Sequence, residues 1–165
     1  MAIMKKLQWS KDFFDTSTKL TEANKNIAVL NAEWFSDTAN LELNDEKFKF
    51  EKQGVFSSDF LIKNTTEKKV IGSIKYHSFK TRATVKIEDK EFIWTQKDFW
   101  GSQWILTDNN QTIATYKSDY FSGGKIETTS DDYLLISTGL FITNYYLKMM
   151  LAFFMIIMIP IFINR

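Results

Sequence analysis

The chain has 165 residues and a nearly balanced charge, 21 basic against 20 acidic, so no global field draws it to nucleic-acid phosphates. It has no cysteine, which excludes disulfides, thiol nucleophiles and thiolate metal sites together. Its length suits a single core, and 15 Phe, 5 Trp and 6 Tyr against one Pro point to a packed, strand-rich body.

The N-terminal "MAIMKKLQWSKDFFDTSTK" carries two early lysines without an apolar stretch behind them, so it does not read as a secretory signal, and synthesis without export is the expectation. Residues 10–25 mix charged and small polar residues and predict a short helix or a loosely held arm. Residues 1–26 are accordingly set apart from a barrel domain over 27–148 and an apolar tail over 149–165.

From Ile27 onward the dominant period is two. In "ATVKIEDKEFIW", Ala83, Val85 and Ile87 alternate with Thr84, Lys86 and Glu88; after a turn at Asp89-Lys90, Phe92 and Trp94 resume the apolar face. The earlier "ANLELNDEKFKF" repeats this hairpin: Ala39 aligns with Ala83, Phe48 with Phe92, Phe50 with Trp94, Phe56 with Trp100 and Phe60 with Trp104, at a constant offset of 44 residues. Past the turn at Asn64 and Asp108 the offset falls to 42, so that Ile71 meets Ile113, a change placed where an insertion costs least. A third, partial copy begins at "GGKIETTSDDYLLI", with Tyr133 and Leu135 expected at the positions of Phe92 and Trp94. The fold class is therefore mainly β, a curled or closed antiparallel barrel of about 10–12 strands. A barrel wider than about eight strands cannot be filled by its wall side chains alone.

The filler is the C-terminal run. A helix over 134–148 is about 22 Å long, which matches a wall of tilted strands. Leu135, Leu140, Ile142 and Tyr146 occupy most of its circumference, and Ser137, Asn144 and Lys148 form one narrow polar stripe. The 15 apolar residues after Lys148 add about another 22 Å, short of a hydrocarbon core of about 30 Å. The run thus reads as an inner plug followed by a tail, including Leu151, Phe153, Phe154, Ile156 and Ile157, that leaves the barrel to meet a membrane or to cap its mouth. A single long core helix without membrane contact is the plainer reading.

Three stretches, "TVKIEDKEFIW", "SQWILTDNNQTIATY" and "DDYLLISTGLFITNYYL", carry a likeness in hydrophobic pattern and turns over about residues 32–148. Together they resemble the tubby C-terminal-like superfamily, which includes LURP-one-related proteins and phospholipid scramblases. The resemblance implies a barrel with its C-terminal helix inside, while the activities of the family transfer poorly; membrane phospholipid is the expected partner. The basic pair of the tubby phosphoinositide site and the acidic calcium segment of scramblases find no identifiable match, and the tail beyond Lys148 departs from the short endings of the family. Fold likeness alone does not fix function.

Other chemistry is weakly signalled. His77, the only histidine, lacks visible partners for a metal site or a triad. Asp131 and Asp132, with Asp119, lack the spacing of a calcium loop and read as a solvated turn. No cofactor motif is present; "FSGG" is not followed by the residues of a phosphate cradle. Lys75, Lys80 and Arg82, with Lys68 and Lys69 nearby, are candidates for anionic lipid headgroups, against the alternative of a solvated strand face. Trp9, Trp34 and Trp100 are either interfacial anchors or wall residues. The expected function is a non-enzymatic, lipid- or partner-binding barrel on the cytoplasmic face of a membrane. The alternatives are a soluble barrel that binds a protein or an apolar ligand, and an enzyme whose site forms only in three dimensions.

Overall fold

The twofold period is realised along almost the whole chain. The computed structural model describes residues 3–163, apart from 13–14, 34–35, 37, 78–80 and 120–121. Strands β1 (Lys5–Lys11), β2 (Ser17–Glu22), β3 (Lys25–Asn31), β4 (Thr38–Leu43), β5 (Glu46–Lys52) and β6 (Asp59–Asn64) are followed by β7 (Lys69–His77), β8 (Arg82–Ile87), β9 (Lys90–Gln96), β10 (Gln103–Asp108), β11 (Gln111–Ser118) and β12 (Gly123–Thr128), then by one helix, α1 (Tyr133–Ile163). Each strand pairs antiparallel with its neighbours in sequence, and β1 pairs with β12, so the sheet closes into a barrel with no free edge.

Alternation decides which face each side chain takes. In β4, Ala39, Leu41 and Leu43 are buried while Asn40 and Glu42 are exposed. A slip of one residue would turn that whole set to solvent. The two copies agree in register: Ala39 faces Phe50 and Leu41 faces Phe48, as Ala83 faces Trp94 and Val85 faces Phe92. Phe48, Phe92, Phe60 and Trp104 all point inward. The ladder slips after Ile62 in β6 and again after Leu106 in β10, at equivalent positions. The turn of the second hairpin falls one residue earlier than the sequence indicated, at Glu88 and Asp89, closed by Ile87 and Lys90. Glu88 carries the positive φ, as Asn44 does in the first copy.

The third copy is complete, but it is split between the chain ends. Gly124 faces Trp9 and Ile126 faces Leu7, reproducing the pairs Ala83 with Trp94 and Val85 with Phe92. The β2–β3 ladder then slips after Leu20, as β6–β7 does after Ile62. Three four-strand units thus make the wall: β4–β7, β8–β11, and β12 with β1–β3. This corrects two expectations. Residues 1–26 are not an arm or a helix but supply β1, β2 and the start of β3, and Leu7 and Trp9, not Tyr133 and Leu135, take the positions of Phe92 and Trp94. Gly124 is required by close approach, because a Cβ there would meet the Trp9 indole at 2.7–2.8 Å and the Lys117 carbonyl closer still.

Where the other two units join the equivalent strands by a two-residue turn, the chain after β12 turns inward instead. Asp132 caps the helix by accepting from the Leu135 amide at 3.0 Å, and Asp131 pairs with Lys5. Residues 135–144 are all buried. Ten consecutive buried residues cover nearly three turns, so every face of that stretch is enclosed, as expected of a helix running through the centre of the barrel.

Candidate functional site

The barrel has two unlike ends. At one, short turns join the strands and α1 enters; at the other, the longer β5–β6 (53–58) and β9–β10 (97–102) connections flank the mouth from which the helix emerges.

Inside, α1 is fixed by rings and by a few polar contacts. Phe141 stacks on Phe50 at 4.4 Å and meets Phe60 edge-on at 5.1 Å; Tyr146 lies against Trp94 and Trp104. The Trp94 indole donates to the Thr143 hydroxyl at 3.1 Å, which in turn donates to the Gly139 carbonyl at 2.9 Å. The Tyr116 hydroxyl donates to the Ile136 carbonyl at 3.0 Å, and its full burial raises its pKa. Burial likewise raises that of Tyr76, with smaller contributions from Tyr146 and Tyr145. Two residues of the polar stripe have partners on the β2–β3 side of the wall: Asn144 donates to the Thr18 hydroxyl at 3.2 Å, and Lys148 Nζ donates to the Ala32 carbonyl at 2.5 Å, whereas the buried Ser137 hydroxyl has no partner among the described residues. An asparagine and a lysine on the plug thereby have partners in the wall and the chain that follows it.

At the mouth the environment changes within one turn. Tyr146 is buried, Lys148 is half-buried, and from Met149 onward the helix stands clear of the barrel, with Leu151, Phe153, Phe154, Ile156 and Ile157 exposed. By length and composition Tyr133–Ile161 meets the requirement for a membrane span, although its first half is inside the barrel. Pro160 removes one helical hydrogen bond in the last turns. Lys11, also at this end, has its pKa lowered by burial, partly offset by the Asp15 carboxylate.

The β5–β6 and β9–β10 connections are built structures. In β9–β10 the Lys97 amide donates to the Gln103 carbonyl at 2.8 Å, and the Asp98 carboxylate accepts from the Ser102 amide at 3.0 Å, the Gln103 amide at 2.8 Å and the Ser102 hydroxyl. Burial by itself would raise the Asp98 pKa, but these hydrogen bonds outweigh it and hold the carboxyl below its ordinary range. Gly101 takes a φ of +66° to complete the turn. In β5–β6 the equivalent bond, Gln53 amide to Asp59 carbonyl, is 2.7 Å, and the Ser57 hydroxyl accepts from the Asp59 amide at 3.0 Å. At the tips of these two connections Val55, Phe56, Phe99 and Trp100 are exposed by 76, 101, 90 and 79%.

Of the sequence candidates, Leu135, Leu140, Ile142 and Tyr146 come together inside the barrel. Lys75 and Arg82 are exposed at diagonal positions on the outer wall near the mouth, where Lys75 pairs in register with Thr84 and Asp59, and Arg82 with His77. Lys80 lies outside the described residues, as does Trp34. Lys69 begins β7 and so stands with Lys68 at the opposite end, apart from Lys75 and Arg82. His77 meets the Thr84 hydroxyl at 3.2 Å. Among the described residues no three of His, Asp or Glu gather to hold a metal ion. Trp9 is a wall residue, whereas Trp100 is at a loop tip. Sequence reasoning did not single out Val55, Phe56 and Phe99 as surface residues. A usable signal was there: an acidic or small residue followed by two bulky apolar ones recurs in successive long connections, as in "DFFD", "EWFS", "GVFS", "DFWG" and "DYFS".

Comparison with protein-family models, with curated proteins and with solved structures finds no match for the chain.

Proposed function

We propose that the protein is a non-enzymatic, membrane-associated barrel of the tubby-like type, held at the cytoplasmic face of a membrane by the end of α1. The observation that carries this reading is the abrupt change along one helix: residues 135–144 are enclosed by the wall, and the apolar residues from Met149 are almost all exposed. An exposed apolar surface of that extent is not stable in water and demands lipid or a partner. A projecting helix of about 22 Å crosses the nearer leaflet and enters the farther one. Lys75 and Arg82, near the mouth, are placed to meet anionic phospholipid headgroups. The tubby-like assignment draws support from the closed barrel around a C-terminal helix, the architecture that the resemblance implies.

Fractionation of the intact chain beside a truncation after Lys148 tests the reading. The intact chain should sediment with phospholipid vesicles or require detergent, and the truncated chain should stay in the supernatant with a cooperative thermal transition. An intact chain that is monomeric and soluble without detergent, beside a truncated chain that unfolds, refutes it, because the tail would then belong to the core.

A further inference from the structure

A helix that projects from a barrel anchors it but leaves its tilt on the bilayer open. The loops supply the missing constraint. Val55 and Phe56 on one connection and Phe99 and Trp100 on the next equivalent one are almost fully exposed, and both connections are at the end where α1 emerges. Their tips are not loose: the Asp98 carboxylate and the bonds from Gln53 to Asp59 and Lys97 to Gln103 fix the backbone beneath them. Phe99 and Trp100 also pack edge-on against each other at 5.5 Å, which holds both rings in place at the tip. At the opposite end the two-residue turns Ala23-Asn24, Asn44-Asp45, Glu88-Asp89 and Asn109-Asn110 and the four-residue turn 65–68 carry no large apolar side chain, and the exposed apolar residues there, Ile3, Met4 and Val70, precede or begin strands and form no loop tip.

Resting on the membrane reading given above, we infer that the barrel stands mouth-down on a phospholipid bilayer, with the β5–β6 and β9–β10 tips seated in the headgroup boundary around the emerging helix. Aromatic rings favour that depth, where an apolar face and a polar edge are both accommodated. A bilayer is the occupant that suits the shape. A protein partner would have to offer a deep socket for the helix and separate seats for each tip, whereas lipid takes both without a matching contour. Lys75 and Arg82, two positions or fewer from the mouth end of their strands, then lie level with the phosphates.

The absence of cysteine allows single-cysteine variants, each carrying one environment-sensitive fluorophore. Phe56→Cys and Trp100→Cys probe the tips, Ile156→Cys the tail, and Asn110→Cys the far end, all in the full chain reconstituted into phosphatidylcholine vesicles. Spin labels near the headgroup should quench the probes at 56 and 100 by roughly half, labels near the bilayer centre should quench the probe at 156, and the probe at 110 should respond to neither. Quenching at 156 without quenching at 56 and 100 overturns this inference and leaves the tail reading intact. No quenching at any position overturns both. A blue shift at 56 and 100 that depends on protein concentration and not on lipid assigns the tips to a second copy of the chain, and overturns it as well.

Discussion

Gly139→Ala is the most direct test of the threaded helix. A Cβ at position 139 would stand 2.5 Å from Cζ of the Tyr116 ring and 3.1 Å from Cε2, with the hydroxyl nearer still, against an ordinary contact of 3.4–4 Å. The ring is fully buried in the wall and its hydroxyl donates to the Ile136 carbonyl at 3.0 Å, so it can yield only by displacing packed neighbours and straining that bond. Overpacking costs about 1–3 kcal/mol and the strained hydrogen bond about 1 kcal/mol, while alanine returns about 1 kcal/mol through helix propensity. The net expectation is a loss of about 2 kcal/mol. Urea unfolding of the full chain in mild detergent, followed by fluorescence of the tryptophans near the helix, measures it. In a Tyr116→Phe background the cost should fall by about 1 kcal/mol, since the hydroxyl is gone. If Gly139→Ala is neutral or stabilising in both backgrounds, α1 does not pass beside Tyr116, and the helix lies against a solvent-facing surface where propensity alone decides.

Leu140→Asp sets an unpaired charge among the rings of the core and should abolish the cooperative transition; a variant that keeps its native transition and changes only its vesicle binding would place the helix outside the barrel. The Asp98 carboxyl, held below its ordinary value of 3.8, contributes stability that is fully present above that value and is lost as pH falls through the folded pKa. The gap in thermal midpoint between wild type and Asp98→Ala should therefore be widest above about pH 5 and shrink toward about pH 2; a gap independent of pH would assign the aspartate a steric role only. Lys75→Gln combined with Arg82→Gln should cut the preference for anionic over neutral vesicles roughly thirtyfold at low salt, from about 1 kcal/mol per contact; an unchanged preference marks them as an ordinary solvated face.

The sequence was informative where each strand carries its own pattern. Ala39, Leu41 and Leu43 alternate with polar residues, so both the strand and its inward face can be read locally. β2 was missed for the opposite reason, since one of its two buried side chains is Thr18, whose hydroxyl receives the amide of Asn144; β1 carries Leu7 and Trp9 in the same alternation as Phe92 and Trp94 of β9, and that pattern went unread. No periodicity scan weights a buried threonine whose partner lies 126 residues away. The split third unit was hidden by order, since comparison at a fixed offset follows the chain and that unit begins near its end and finishes at its start. The polar stripe on α1 was legible, but its destination was not, because the Ala32 carbonyl that receives Lys148 has no side-chain signature. Val55-Phe56 and Phe99-Trp100 were visible as bulky pairs; only the topology places both at one end.

The seam between β12 and β1 also governs how the chain can fold. During synthesis β1 emerges first, yet its partner across the seam follows more than a hundred residues later, so one flank of the sheet stays unpaired until the wall is nearly finished. The segment that comes next is the plug itself. Wall closure and helix enclosure therefore belong to one late event, and a long loop must be closed to reach it. A chain arrested earlier has neither a sealed sheet nor an interior to receive Leu140. The apolar tail consequently comes to project from the mouth only once the barrel is shut, so completion of the fold and presentation of the tail become a single step.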